Sequence, residues 1–442
     1  MNHQLTKGHI TKSLLFFSLP MILGNLLQQF YNIADTFIVG QYLGSHALAA
    51  VGSSFTIMTF LTSIILGLCM GSGILFSMLF GAKEVDKMKT SFFVSFIGIA
   101  VLAVIIEILC LLCIHPILTF LNIPTDIYQQ TYDYLWIIFF GFFFTFLYNY
   151  FSCVLRALGN SRIPLIFLAI ATTVNIILDI FFIVSLNSGV GGAALATIIA
   201  QAMSGIGIMI YVFMTQKELL PQKQHYHFDI DIFRKIRDYS LLTCIQQSVM
   251  NFGILMIQGL VNSFGVITMS AFAAAVKIDS FAYMPVQDFG NAFSTFIAQN
   301  KGAHQEERIQ KGLKSAICIS TIFCLMIGVV VFAKELMLIF IHPEEVEMIR
   351  QGVQYLQIEG MCYLGIGCLF LLYGYYRGIG KPGISVILTV ISLGLRVVLA
   401  YLFAPAFGSV AIWWAIPIGW FIADLTGIVY GIKKENWLHT KT

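Results

Sequence analysis

Apolar residues run along this chain in blocks of about 20 or more, the length that carries an α-helix across the hydrocarbon core of a bilayer. Twelve such blocks are predicted, at 13–38, 47–79, 90–114, 130–154, 163–186, 190–214, 236–262, 268–299, 312–333, 352–376, 383–404 and 408–431. Segments of alternating apolar and polar residues, the mark of a membrane β-strand, are absent, so the blocks read as helices. The polar positions between them form short turns, except for one longer stretch from about 215 to 238 that carries Pro221 and mixed charges.

The pattern repeats. At an offset of about 221 residues, Gly81-Ala-Lys83 aligns with Gly302-Ala-His304, and Leu155-Arg-Ala-Leu-Gly159 with Tyr376-Arg-Gly-Ile-Gly380. The offset is half the chain of 442 residues, so the whole protein is a duplication. Six spans per repeat is an even number, so both copies enter the membrane from the same side. Such repeats are related by an axis along the membrane normal, with a substrate path between the lobes. The expected architecture is therefore all-α: twelve transmembrane helices in two pseudo-twofold six-helix lobes with a central cavity. The N-lobe covers 1–214, a cytoplasmic linker 215–235 and the C-lobe 236–442.

Composition removes the soluble alternatives. Hydrophobic residues make up 58% of the chain and charged residues 11%, against roughly 25% charged in a soluble domain. The net charge of +3 is too small, and too scattered, for a nucleic-acid partner. Lysine and arginine then set the orientation. The N-terminus, alternate loops and the C-terminus hold 21 of the 25, the opposite loops only Lys334 and Arg350, and the spans Lys277 and Arg396. The positive-inside rule puts both termini in the cytoplasm, in a multi-pass protein of the cytoplasmic membrane. The nine cysteines all fall in apolar runs, so neither a disulfide framework nor a metal site is expected.

Seven carboxylates lie within the spans: Asp35, Glu107, Asp179, Asp279, Asp288, Glu359 and Asp424. A charge at the bilayer centre costs about 2.5–3.5 kcal/mol even on the lenient insertion scale, so each needs a partner, water or a proton. In the first helix Asn25, Gln29, Asn32 and Asp35 recur at three- and four-residue spacing and form one polar stripe, which must face a wet interior. The seventh helix keeps Gln247, Asn251 and Gln258 on a comparable stripe, with Ile257 where the first half has Asp35. Thr172, Asn175 and Asp179 share a face of the fifth helix. Counting about 1.5 Å per residue places Asp35 and Asp179 at similar depth in the outer half of the membrane. Two carboxylates converging in a low-dielectric cavity cannot both ionise cheaply. Such a pair takes a proton, Na⁺ or an organic cation in competition, and that competition is the physical basis of antiport. The bland alternative is a pair that only ties helices together.

Pro20 removes one backbone hydrogen bond from the first helix and permits a bend there, whether static or switching. In the second half, Lys277, Asp279, Asp288, Glu359 and Arg396 form a candidate charged site. Lys277 and Asp288, eleven residues apart, are expected on one face. Mutual ion pairing, an anion-binding role and a second coupling site all remain open for this set. Glu359 lies near a predicted helix end, within reach of the interface. Phe139, Phe140 and Phe142 to Phe144 suit either an apolar cavity wall or packing, and Gly67, Gly71 and Gly73 read as close helix packing.

Several segments together resemble the multidrug and toxic compound extrusion (MATE) family in its bacterial DinF-like branch. They are Pro20 to Gly44 with Phe30-Tyr-Asn-Ile-Ala-Asp35, Gly81-Ala82, Val154 to Asn160, Asn175-Ile-Ile-Leu-Asp179 and Ala298-Gln-Asn-Lys-Gly-Ala303. The resemblance spans both halves. It implies export of cationic amphipathic molecules driven by H⁺ or Na⁺ entry, with Asp35, Asn175 and Asp179 as coupling site and a first helix that bends at Pro20. The seventh helix lacks the acid found in another branch, and the basic C-lobe leaves room for zwitterionic or anionic cargo. The expected partners are amphipathic small molecules and the lipid bilayer, the chain acting as a monomer without a cofactor. The competing function is a flippase for lipid-linked precursors or polysaccharides, which would want a cationic cavity; no nucleophile–base pair or phosphate loop supports an enzyme.

Overall fold

The computed structural model describes residues 5–120, 123–326, 330–435 and 437. Among them every regular element is helical. The first, α1 (Ile10–Gly81), is two spans joined at Gly44, whose φ of 82° and ψ of −175° leave the helical region. Glycine takes that conformation without a Cβ clash. Then come α2 (Val85–Leu112), the short α3 (Ile114–Phe120), α4 (Thr125–Phe139), α5 (Phe142–Ala157), α6 (Arg162–Asp179) and α7 (Gly189–Thr215). The second half runs through α8 (Ile230–Asn262), α9 (Val266–Gly302), α10 (Glu306–Met326), the short α11 (Ala333–Met337), α12 (Val346–Met361), α13 (Tyr363–Gly378), α14 (Pro382–Phe407) and α15 (Ser409–Lys434). Among the described residues eight helices are long and apolar enough to cross a bilayer, ten when the bent pairs α4–α5 and α12–α13 each count as one span. The Gly44 break divides α1, and α10 fills the remaining place among the twelve predicted spans.

The duplication extends to the backbone. Four pairs of residues with positive φ stand 221 apart: Gly44 with Gly265, Lys83 with His304, Gly159 with Gly380, and Asn187 with Gly408. The bends correspond too, at 46° between α4 and α5 and 54° between α12 and α13. In the first half an intramembrane acid caps the broken helix: Glu107 Oε2 accepts the Phe143 N–H at 3.1 Å. That contact supplies the partner which Glu107 needs at this depth, and it satisfies one of the free amides at the start of α5.

The chain falls into two compact units, residues 23–244 and residues 5–22 with 245–442. Both divisions lie inside helices, α1 and α8, rather than in the polar stretch between α7 and α8. Packing explains this: Leu14, Phe17 and Met21 are buried in one core with Phe289, Phe293 and Phe296, whereas Ile236 joins Leu75 and Val94. The segment expected as a linker is also structured. α8 already begins at Ile230, because Ile232, Phe233 and Ile236 make an apolar stripe among charged neighbours. Before it, the buried His225 docks on Asp86, Nε2 to Oδ1 at 3.1 Å. In the first unit Phe76, Phe92, Phe142, Phe146, Tyr150 and Phe151 form an aromatic core, so Phe142 packs rather than lining a cavity, as does the fully buried Phe139.

A clasp holds the chain start in the second unit. Leu5 is fully buried; its N–H donates to Gln299 Oε1 at 3.1 Å. Its carbonyl accepts from Arg308 Nε and Nη2 at 3.1 and 3.0 Å. Arg308 also reaches the carbonyls of Lys7 and Gly8, at 2.9 and 2.8 Å. The buried Gln299 and Asn300 of the 298–303 segment thus hold this strap. Arg308→Ala should cost the strap about 2 kcal/mol and make trypsin cleavage after Lys7 roughly tenfold faster or more. Unchanged cleavage would show that the clasp does not hold.

Candidate functional site

In the first unit the polar stripe of α1 meets α6. The carboxyl groups of Asp35 and Asp179 approach to hydrogen-bonding distance of each other. Asp179 is fully buried and Asp35 half-buried. Among the described residues no donor from a neighbour reaches Oδ1 of either acid. Two carboxyl oxygens in such contact need a proton between them, since each is otherwise only an acceptor.

The rest of the site holds Asp179 in place. Asn175 lies one turn earlier on α6, and with its amide turned as the neighbours require, Nδ2–H donates to Asp179 Oδ2 at 2.7 Å. The Asn175 carbonyl then faces Thr197 N–H at 3.1 Å. Thr197, on α7, meets the Tyr31 hydroxyl at 3.4 Å, and Tyr31 stands one turn before Asp35. The buried Tyr134 of α4 lies within electrostatic reach of both acids. Asp179 ends α6 and a π-helical turn, Ile180–Ser185, follows at once; such turns cluster at functional sites because they re-aim side chains. Gln29 and Asn32 lie half-buried on the same stripe, and among the described residues neither side chain makes a hydrogen bond. Pro20 sits inside α1 with helical backbone around it, Gly44 being the one non-helical residue of that helix.

Sequence reasoning missed Tyr31, Tyr134, Thr197 and the π turn. Thr197 carried a faint signal as a hydroxyl inside the apolar run of α7; the tyrosines, common in membrane helices, carried none.

In the second unit the predicted charged set separates. Tyr363 and Tyr355 donate to Asp279, at 2.5 Å to Oδ1 and 3.3 Å to Oδ2. Glu359 is 1% exposed, and neither of its oxygens has a hydrogen-bond partner among the described residues. The expectation that it reaches an interface is corrected: α12 begins at Val346 rather than at 352, which carries Glu359 inward to the α12–α13 bend. Arg396 acts electrostatically on both Asp279 and Glu359, yet no ion pair joins it to either among the described residues. Lys277 does not take part. It is exposed while Asp279, two residues on, is buried. Asp288 is buried as well, so the expected common face of Lys277 and Asp288 does not hold; α9 contains Pro285 between them. Asp424 lies apart, beside the Cys368 thiol.

The chain is similar to known proteins over nearly its whole length. A family model described as MatE matches the chain twice, over residues 20–181 and 240–402. The probable multidrug resistance protein YpnP of Bacillus subtilis is 30% identical over 437 residues, covering 97% of this chain and 96% of that protein. The multidrug export protein MepA of Staphylococcus haemolyticus is 23% identical, covering 97% and 95%. Among solved structures, a MOP-superfamily transporter from Pyrococcus furiosus, described as having a binding pocket of reversed polarity, superposes with a TM-score of 0.92 at 22% identity. It covers 99% of this chain and 98% of its own. An outward-facing multidrug resistance MATE transporter gives the same score and coverage at the same identity.

Proposed function

Because this chain belongs to the multidrug and toxic compound extrusion family of membrane transporters, we propose that it expels amphipathic, cationic small molecules across the cytoplasmic membrane in exchange for protons. The Asp35–Asp179 contact carries this reading. With a proton between them the two acids bear one charge; without it, two like charges about 4 Å apart repel by ~4 kcal/mol at an effective dielectric of 20. An organic cation relieves that repulsion as well as a proton does, so each displaces the other and export is tied to proton entry. Asn175, Thr197 and Tyr31 keep Asp179 and the α1 stripe in register, and Gln29 and Asn32 offer free polar groups to cargo beside the acids. Asp35 shares a helix with Pro20, whose missing amide hydrogen bond gives α1 a place to bend as the charge on Asp35 changes, one step of alternating access. The lysine and arginine bias supports cytoplasmic termini, and one chain, acting as a monomer, holds the whole site.

The deciding experiment is ethidium transport in proteoliposomes under imposed gradients. A pH gradient is expected to drive it and a sodium gradient of equal size is not. Transport driven by sodium alone would replace the proton with Na⁺ in this reading. Indifference to both gradients would remove the exchanger altogether.

A further inference from the structure

We infer that the second unit carries its own proton-binding site, Glu359 set against Asp279, with the Arg396 guanidinium supplying the positive charge that a free metal cation would otherwise bring. The spacing of the bent pair α12–α13 builds it. Tyr355 and Glu359 stand one turn apart on α12, hence on one face, and Tyr363 opens α13 just past the bend. Both flanking tyrosines donate to Asp279. Glu359 lies within electrostatic reach of the same Asp279.

The two acids differ in what they are given. Asp279 has two hydroxyl donors, which stabilise an ionised carboxylate. Glu359 is 1% exposed and has no partner for either oxygen among the described residues. An unpaired buried carboxylate costs several kcal/mol, and neutralisation by a proton removes that cost. The charges count the same way. Asp279 and Arg396 cancel, so an ionised Glu359 leaves the cluster at −1 and a proton taken from water by its carboxylate returns it to zero. On release the proton goes back to water and nothing else changes hands.

Among the described residues the groups within electrostatic reach of Glu359 are few, and only Asp279 and Arg396 act on it in turn. From α9 they are Asp279 and Tyr283. From the bent pair they are Tyr355, Cys362 and Tyr363. From α14 there is Arg396, whose Nε is buried and unpartnered, and α15 adds the uncharged Trp413 ring packed on Tyr355. Among the described residues no three His, Cys, Asp or Glu side chains converge to hold a metal ion, and a fixed guanidinium repels one. The site therefore selects the proton over Na⁺. Its proton binding stands apart from the proposed exchange at Asp35; only its use in transport rests on that reading.

The test is equilibrium proton release, without transport, from purified full-length protein in an unbuffered medium. In D35N/D179N protein, whose first-unit acids are silenced, raising the pH should still release protons from the interior, and adding E359Q should remove about one proton per chain. Sodium chloride should release none while Arg396 is present, and should release a proton once Arg396→Gln is introduced. An unchanged proton count on adding E359Q overturns the site, and displacement of the proton by Na⁺ in the Arg396-containing protein overturns its selectivity. Should E359Q fail to fold, wild-type protein labelled with dicyclohexylcarbodiimide, which reacts with protonated carboxyls in apolar surroundings, decides the matter. Label on Glu359, lost as the pH rises and unaffected by Na⁺, supports the inference; an unlabelled Glu359 sinks it. Label on Asp35 in the same digest reports the first-unit site separately.

Discussion

Asp35→Asn is expected to abolish pH-driven ethidium efflux in proteoliposomes, by about 100-fold or more, while the protein folds as before. Asparagine matches the aspartic acid in shape and stays neutral, so it imitates the protonated form and can still donate to Asp179. It cannot release a proton. The alternation between one shared charge and two opposed charges, which exchanges cation for proton, stops in its one-charge state. A 100-fold loss corresponds to about 2.7 kcal/mol, within the ~4 kcal/mol of like-charge repulsion that the exchange uses. Folding should be spared because the contact between positions 35 and 179 survives as an amide–carboxylate hydrogen bond. Thermal unfolding and circular dichroism of the purified variant check that arm, and flux under a fixed pH gradient checks the other. Efflux at the wild-type rate would leave Asp35 and Asp179 as a tie between helices and nothing more.

How much of this was legible beforehand depends on the kind of signal. Periodicity put Asn25, Gln29, Asn32 and Asp35 on one stripe and Asn175 with Asp179 on one face, and a one-helix pattern is enough for that. It does not say which faces meet. Thr197 and Tyr134 come from α7 and α4, and their part in the site exists only once those helices pack against α6 and α1. The same blindness misplaced Lys277. Two residues from Asp279, it was grouped with the C-lobe acids for its charge, but two residues on a helix is a turn of about 200°, and the structure turns it outward. Arg396, on a different helix, is the cation that acts on Asp279 and Glu359. Depth failed for a related reason. Hydropathy began the tenth span where the apolar run starts, whereas α12 extends back to Val346 through polar residues, which brings Glu359 inside. Boundaries set by packing behave alike: Leu14, Phe17 and Met21 precede Asp35 on the same helix, yet they belong to the core of the other unit.

Glycine spacing, in contrast, could be read directly, and it supports the second large effect: Gly71→Leu should prevent recovery of folded protein. Gly67 and Gly71 of α1 stand four apart and face Cys244 and Ser240 of α8, also four apart, within one unit. A Cβ on Gly71 would lie 2.4 Å from Ser240 Cα and 2.5 Å from its nitrogen; one on Gly67 would lie 2.5 Å from Cys244 Cα. All of these are backbone atoms, so no rotamer change can yield and the helices themselves must part. Parting them breaks the bond from Ser240 Oγ to the Leu68 carbonyl, 2.9 Å long in the wild type. Even Gly71→Ala should therefore cost about 3 kcal/mol, the upper end of what overpacking costs. Two neighbours in α1 serve as controls. Gly73→Ala meets Cys153 Cβ at an ordinary 3.4 Å, and Gly52→Ala meets nothing within 4 Å, so both should keep or slightly gain stability through alanine's better helix propensity. Thermal stability of the three alanine variants in detergent gives the ranking, and the yield of folded protein tests Gly71→Leu. If Gly71→Ala melts with Gly52→Ala, the close approach of α1 and α8 is not what these glycines are for.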